Sequence, residues 1–185
     1  PNVRARLDER MLRMVDLAAP WEAMVVIGGV RGPLAGSDSD RTDQYHRFVD
    51  SVHRYATYAL PHNVSLAVEP INRYETNLIN QLAEGASFIG ANGLDNVVLL
   101  ADLFHMNIEE SDVAQAIRDA GKHTGHVHFA DSNRQAIGFG HTNPAPIVTA
   151  LREVGYDGYL SAEIFPAPDA DTAARQTITA IKQNA

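Results

Sequence analysis

Short apolar runs and stretches of helical periodicity alternate along this chain, and four of the runs close on a side chain that can ligate a metal. The runs are Ser65 to Glu69, Val97 to Asp102, Gly125 to His128 and Tyr159 to Glu163. Their closing residues, Glu69, Asp102, His128 and Glu163, stand 33, 26 and 35 residues apart, about one βα unit each time. Strands separated by a helix are joined by crossovers and run parallel. Their C-terminal ends then share one rim, as in a (βα) barrel. Three carboxylates and one imidazole are expected to meet there. Such a set suits a single hard or borderline divalent cation with positions left open for substrate.

The periodicity supplies the elements between and around these ends. Arg4 to Ala19 carries Leu7, Met11, Leu12, Met14, Val15 and Ala18 at helical spacing. Ala23 to Ile27 reads as a buried strand running into Gly28-Gly29, followed by a polar loop over 30–40. Arg41 to Leu60 is helical, with one stripe from Tyr45 and Phe48 to Ala56 and Ala59. After the strand at 64–69, a helix spans Leu78 to Ala91 and stops at Gly93. Ser111 reads as the N-cap of a helix bearing Val113, Ala114 and Ile117, with Gly121 at its end. A strand at 124–129 leads into a long loop, 130–142; Asn143-Pro144 then opens a helix closed by Gly155. A strand at 158–164 and a helix at about 169–183 complete five strand-helix units in one α/β domain, 1–185, with a leading helix.

Composition narrows the setting. At 45% hydrophobic over 185 residues, the chain can bury a real core. No apolar run nears the roughly 18 residues of a membrane helix, so no membrane partner is expected. The arginine-rich start, Pro1 to Arg13, reads as an amphipathic helix rather than a secretory leader. No cysteine is present, which removes disulfides and thiolate metal sites and makes the cytoplasm the default compartment. The net charge of −8 repels phosphate backbones, so nucleic acid is not an expected partner. No G-x-G-x-x-G follows a strand, which weighs against a dinucleotide fold.

The segments around the four closing residues are more specific than their spacing. Glu69 lies in Val68-Glu-Pro-Ile-Asn-Arg-Tyr-Glu75, and Asp102 in Ala101-Asp-Leu-Phe-His-Met-Asn-Ile-Glu-Glu110. His128 lies in Gly125-His-Val-His-Phe-Ala-Asp-Ser-Asn-Arg134, and Glu163 in Gly155-Tyr-Asp-Gly-Tyr-Leu-Ser-Ala-Glu-Ile-Phe165. Together they resemble the ketose 3-epimerases (D-tagatose/D-psicose 3-epimerases) of the xylose-isomerase-like TIM barrels. The resemblance implies that Glu69, Asp102, His128 and Glu163 are the metal ligands, with Mn²⁺ the usual ion and Co²⁺, Mg²⁺ or Zn²⁺ as alternatives. It makes Glu69 and Glu163 the acid/base pair. It also gives Glu75, His105 and Arg134 to a small-molecule sugar substrate.

The chemistry explains these residue types. Removing the weakly acidic proton beside a ketone leaves an enediolate, whose charge a bound cation offsets. Inverting the carbon takes two carboxylates on opposite faces, one abstracting the proton and one delivering another. Arg134 offers a fixed donor fork to a hydroxyl or carboxylate.

Structural readings stand beside these. His126 and His128 share one face of a strand, and the resemblance selects His128, leaving His126 as its packed neighbour. His105 reads equally as a cap of the next turn, and Glu75 as a surface partner of Arg73. Gly28-Gly29 reads as a tight turn at the rim, and Gly138 and Gly140 as loop punctuation.

By motif, the five units match strands four to eight of the family barrel, and a complete barrel takes typically about 250 residues. A partial barrel exposes strand edges and an interior face, so self-association into a homo-oligomer is expected. Two other functions compete: an endonuclease IV-like hydrolase with a trinuclear zinc site, and a half-barrel that binds metal without turnover.

Overall fold

A computed structural model describes residues 2–184; Pro1 and Ala185, the two ends of the expected domain, lie outside the described residues. The elements run α1 (Asn2–Ala18), β1 (Val25–Ile27), α2 (Asp38–Ala59), β2 (Leu66–Val68), α3 (Leu82–Asn92) and β3 (Val97–Asp102). They continue as α4 (Leu103–Glu109), α5 (Val113–Ala120), β4 (Thr124–His128), α6 (Pro144–Glu153), β5 (Leu160–Ser161) and α7 (Ala170–Asn184).

The strands form one parallel sheet in the order β1-β2-β3-β4-β5. The fold is a five-stranded parallel α/β sheet, as the alternation of apolar runs and helical stretches predicts. Successive side chains of a strand point to opposite faces, and the chain uses both. Leu66, Val68, Leu99, Ala101 and Val127 join the main hydrophobic core with helix residues such as Met11, Val52, Phe88, Ile117 and Leu151. Each fully buried Val, Leu, Ile, Phe or Met among them contributes roughly 1.5–3 kcal/mol. The alternate positions, Ala67, Leu100 and His126, stay outside that core. The next residues in the same phase are Glu69, Asp102 and His128, so the helix-packing face is what turns these three toward the barrel interior.

Local signals set the helix ends. Ser37 caps α2 and forms a reciprocal capping box with Asp40. Glu84 reaches back to the backbone N–H of Asn80 at 2.6 Å, so α3 starts at Leu82 rather than at Leu78. Residues 70–80 are instead an irregular loop over the rim. Asp112, not Ser111, caps α5, accepting from the Gln115 backbone N–H at 2.9 Å. Met14 falls outside the α1 core stripe and is 45% exposed. The last strand is shorter than the apolar run 158–164: only Leu160 and Ser161 pair with β4.

One register irregularity shapes the site. Leu99 pairs with Thr124, but Leu100 pairs with His126, so Gly125 is an extra residue in β4. A side chain there would put its Cβ 2.3 Å from Val98 Cγ2, which restricts the position to glycine. Past this bulge, Asp102 pairs with His128. An unbroken register would set Asp102 opposite Val127, a core residue.

Candidate metal centre

Glu69 follows β2 directly, Asp102 and His128 end β3 and β4, and Glu163 lies just beyond β5. One ligand atom from each of Glu69, Asp102, His128 and Glu163 falls within 4.8 Å of all the others. His128 Nδ1 is the common neighbour. It lies 3.0 Å from Asp102 Oδ2, 3.3 Å from Glu163 Oε2 and 4.0 Å from Glu69 Oε1. Asp102 and Glu69 are buried, His128 is partly buried and Glu163 is exposed.

The electrostatics of the cluster call for positive charge. Burial, then the neighbouring Asp102, pushes the Glu69 carboxyl up to about 7. Burial works to lower the basicity of His128, but the hydrogen bond and charge of Asp102, with Glu69 and Glu163, outweigh it and raise it. Three carboxylates gathered around one ring nitrogen repel one another, and a divalent cation held there would supply countercharge. Oxygen and imidazole donors of this kind fit a hard or borderline ion. Among the described residues this quartet is the one His/Asp/Glu group arranged to hold a metal, which does not furnish a trinuclear site.

Asp102 has a second duty. Its Oδ1 accepts from the backbone N–H groups of Phe104 at 2.8 Å and His105 at 3.3 Å, capping α4. Gly28 at the end of β1 also bears on the quartet, because a Cβ there would sit 2.5 Å from Glu69 Oε2. Arg31 ties this corner together, donating to the carbonyls of Ile27, Gly28, Leu78 and Ile79. Burial lowers its guanidinium to about 10, so it remains a cation near Glu69.

His105 and Arg134 lie beside the quartet, and Glu75 is an exposed neighbour held to Asn72. His105 is buried, with Nε2 3.8 Å from Glu69 Oε1. Arg134 Nη2 donates to Glu163 Oε2 at 2.7 Å, and its guanidinium lies 4.9 Å over the Phe104 ring. Glu75 accepts from Asn72 Nδ2 at 2.9 Å. The surface pairing of Glu75 with Arg73 does not form: Arg73 pairs with Glu109 instead, Nη2 to Oε2 at 2.9 Å. His126 is a packed neighbour, its ring edge-on to His128 at 5.5 Å and its Nε2 2.7 Å from Ser161 Oγ.

The 130–142 loop has a buried organiser that the sequence did not disclose. The fully buried Asp131 carboxylate accepts from the backbone N–H groups of Ser132, Gly138, Gly140 and Thr142 at 2.7–2.9 Å. Burial alone would raise this carboxyl, but the four donors win and hold it down at about 2. The Gly-x-Gly is therefore more than punctuation: both glycines donate to Asp131, and a Cβ on Gly140 would lie 2.4 Å from its Oδ1. The loop holds Arg134 with left-handed φ of 59°, its N–H on the Asp131 carbonyl and its carbonyl on the Phe165 N–H. Arg134 is thereby fixed to the segment that carries Glu163. Acidic residues followed by glycines seven and nine positions later are too common to signal such a hub.

The chain is similar to several known proteins. L-ribulose 3-epimerase of Mesorhizobium japonicum is 44% identical over 123 residues, covering 66% of this chain and 41% of that protein. L-ribulose 3-epimerase of Methylomonas sp. is 34% identical over 183 residues, covering 96% of this chain and 63% of that protein. The crystal structure of a D-allulose 3-epimerase from Methylomonas sp. superposes with a TM-score of 0.87 at 28% identity, covering all of this chain and 71% of that one. The chain thus spans about two-fifths to two-thirds of the length of these curated relatives. Residues 2–184 match the xylose isomerase-like TIM barrel family, and the chain belongs to that family.

Proposed function

We propose that the chain carries the catalytic wall of a metal-dependent ketose 3-epimerase. The observation that supports this most is the convergence of Glu69, Asp102, His128 and Glu163 within 4.8 Å at the C-terminal rim. These four would hold one divalent ion, Mn²⁺ in the first instance. When bound, the ion would polarise the substrate's carbonyl and neighbouring hydroxyl and offset the charge that develops on them.

The remaining chemistry belongs to the chain. Glu69 and Glu163 act as the acid/base pair on opposite faces of the reacting carbon. Burial has already brought Glu69 to about 7, where a carboxyl can take or give a proton near neutrality. Arg134 fixes Glu163 through its 2.7 Å contact. His105 Nε2 presents a polar edge beside Glu69, and Glu75 accepts a sugar hydroxyl at the rim. The relatives act on ketoses by name, which supports a neutral ketose substrate. The cysteine-free composition supports a cytoplasmic setting. Within the described residues β1 pairs only with β2 and β5 only with β4, which supports self-association of the one partial-barrel domain.

Incubation with D-fructose, D-tagatose or L-ribulose and Mn²⁺ in D₂O tests the reading. Deuterium uptake at C3 is expected. No uptake at C3 or C1 of any of these, nor of keto-uronates, would remove it.

A further inference from the structure

Asn72 is buried in the loop between β2 and α3, 2% exposed. Its amide is oriented from both ends. Oδ1 accepts from the Tyr74 backbone N–H at 3.0 Å, a group that can only donate. Nδ2 lies 2.9 Å from Glu75 Oε1, a carboxylate oxygen that accepts. Turning the amide over would set oxygen against oxygen and N–H against N–H. In this orientation Nδ2 also faces His105 Nδ1 at 2.7 Å, and the Asn72 backbone N–H lies 3.4 Å from the same ring nitrogen. With two N–H groups aimed at it, Nδ1 is an acceptor and carries no proton. We propose that Asn72 is a positioning residue that locks neutral His105 in its Nε2–H tautomer, so that a hydrogen-bond donor is aimed into the site beside Glu69.

The opposite edge of the ring bears on this choice. Arg134 Nη1 lies 3.5 Å from His105 Nε2, and arginine can only donate. Both contacts cannot be hydrogen bonds, because a neutral imidazole has one bare nitrogen. The 2.7 Å contact on a doubly anchored amide prevails over one at the outer limit of hydrogen-bond length. A protonated ring fails equally, since its Nδ1–H would face the Asn72 amide.

His105 Nε2–H and Arg134 Nη1–H are then two donors 3.5 Å apart. Both can reach one electron-rich oxygen placed between them. Resting on the epimerase reading, that oxygen is the ketose carbonyl, on which negative charge grows as the proton leaves. A donor fixed before the reaction stabilises that charge without reorganising. Asn72 thus acts on the chemistry through His105.

Long-range ¹H–¹⁵N correlation on the chain with ¹⁵N-labelled histidine, metal-free and with Mg²⁺, reads the tautomer directly, with His105→Gln to assign the signal. The proton is expected on Nε2 and absent from Nδ1; a proton on Nδ1 in the wild type overturns the lock. In Asn72→Asp the new carboxylate accepts from Nδ1–H, and the pattern is expected to reverse. In the D₂O assay the same variant should lose on the order of 100-fold in kcat with KM little changed. An unchanged kcat with the tautomer reversed also counts against the role. Where Asn72→Asp does not fold, the wild-type spectrum decides by itself. Nε2–H without any turnover sustains the lock and contradicts the epimerase reading, whereas Nδ1–H with normal turnover does the reverse.

Discussion

Asp102 and His128 are register partners on neighbouring strands, and Asp102 Oδ2 lies 3.0 Å from His128 Nδ1 while Oδ1 caps α4. One carboxylate therefore serves both helix initiation and the proposed cation. Asp102→Asn separates the two. Asparagine caps helices about as well as aspartate, so the melting temperature should move little. The lost charge should weaken Mn²⁺ binding by at least about 10–100-fold, the range seen for groups one step further from a metal. Calorimetric titration of Mn²⁺ beside a thermal melt checks this. A variant that binds as the wild type does would remove Asp102 from the ligand set.

The Gly125 bulge is what sets His128 opposite Asp102. Gly125→Ala places a Cβ 2.3 Å from Val98 Cγ2, and overpacking of this kind costs roughly 1–3 kcal/mol. Val98→Ala in the same chain removes the obstructing methyls and should restore most of the loss. Urea unfolding of the single and double variants measures the coupling. Additive effects would show that the glycine is there for another reason.

Asp131 gives the loop around Arg134 a pH dependence of known sign. Its carboxyl is held at about 2 in the fold, against about 3.9 in an unfolded chain. A depressed folded value means the stabilisation is whole above the unfolded value and drains away as pH falls from about 4 through about 2. The ionised form contributes on the order of 2 kcal/mol by this linkage. Asp131→Asn should be the less stable chain at pH 7, and the gap should narrow by pH 3. Parallel unfolding series of the two proteins test it; equal pH slopes would contradict the hub. The same substitution should loosen Arg134, which holds Glu163, and so lower turnover.

The sheet edges carry the fourth expectation. Val26 on β1 is 37% exposed, and Tyr159 and Phe165 flanking β5 are 85% and 59% exposed. Unpaired parallel edges with apolar side chains favour association. Sedimentation velocity should show the mean mass rising with concentration. A monomer at every concentration would rule out self-association.

The strand ends were legible in the sequence because a buried parallel strand is a short apolar run, and its first polar residue marks the rim. That rule located Glu69 and Asp102; in the other two runs His126 and Ser161 come first, and the family resemblance singled out His128 and Glu163. All four do converge. The helix α4 was not legible. It starts at Leu103, directly after β3, and its N-cap is Asp102, which reads as a ligand rather than as a cap. Asn72, the Gly125 bulge and the Asp131 hub escaped for a shared reason. Each depends on partners brought close by the fold, such as Asn72 with His105 across 33 residues, and no local pattern encodes those. The pairing of Arg73 with Glu109 rather than Glu75 is of the same kind: proximity in sequence favoured one partner, and the packed loop chose the other.

Anomalous diffraction from Mn²⁺-soaked crystals addresses the central claim most directly. One manganese peak is expected, about 2–2.5 Å from oxygens of Glu69, Asp102 and Glu163 and from His128 Nδ1. A peak bound elsewhere, or none at saturating Mn²⁺, would contradict the account.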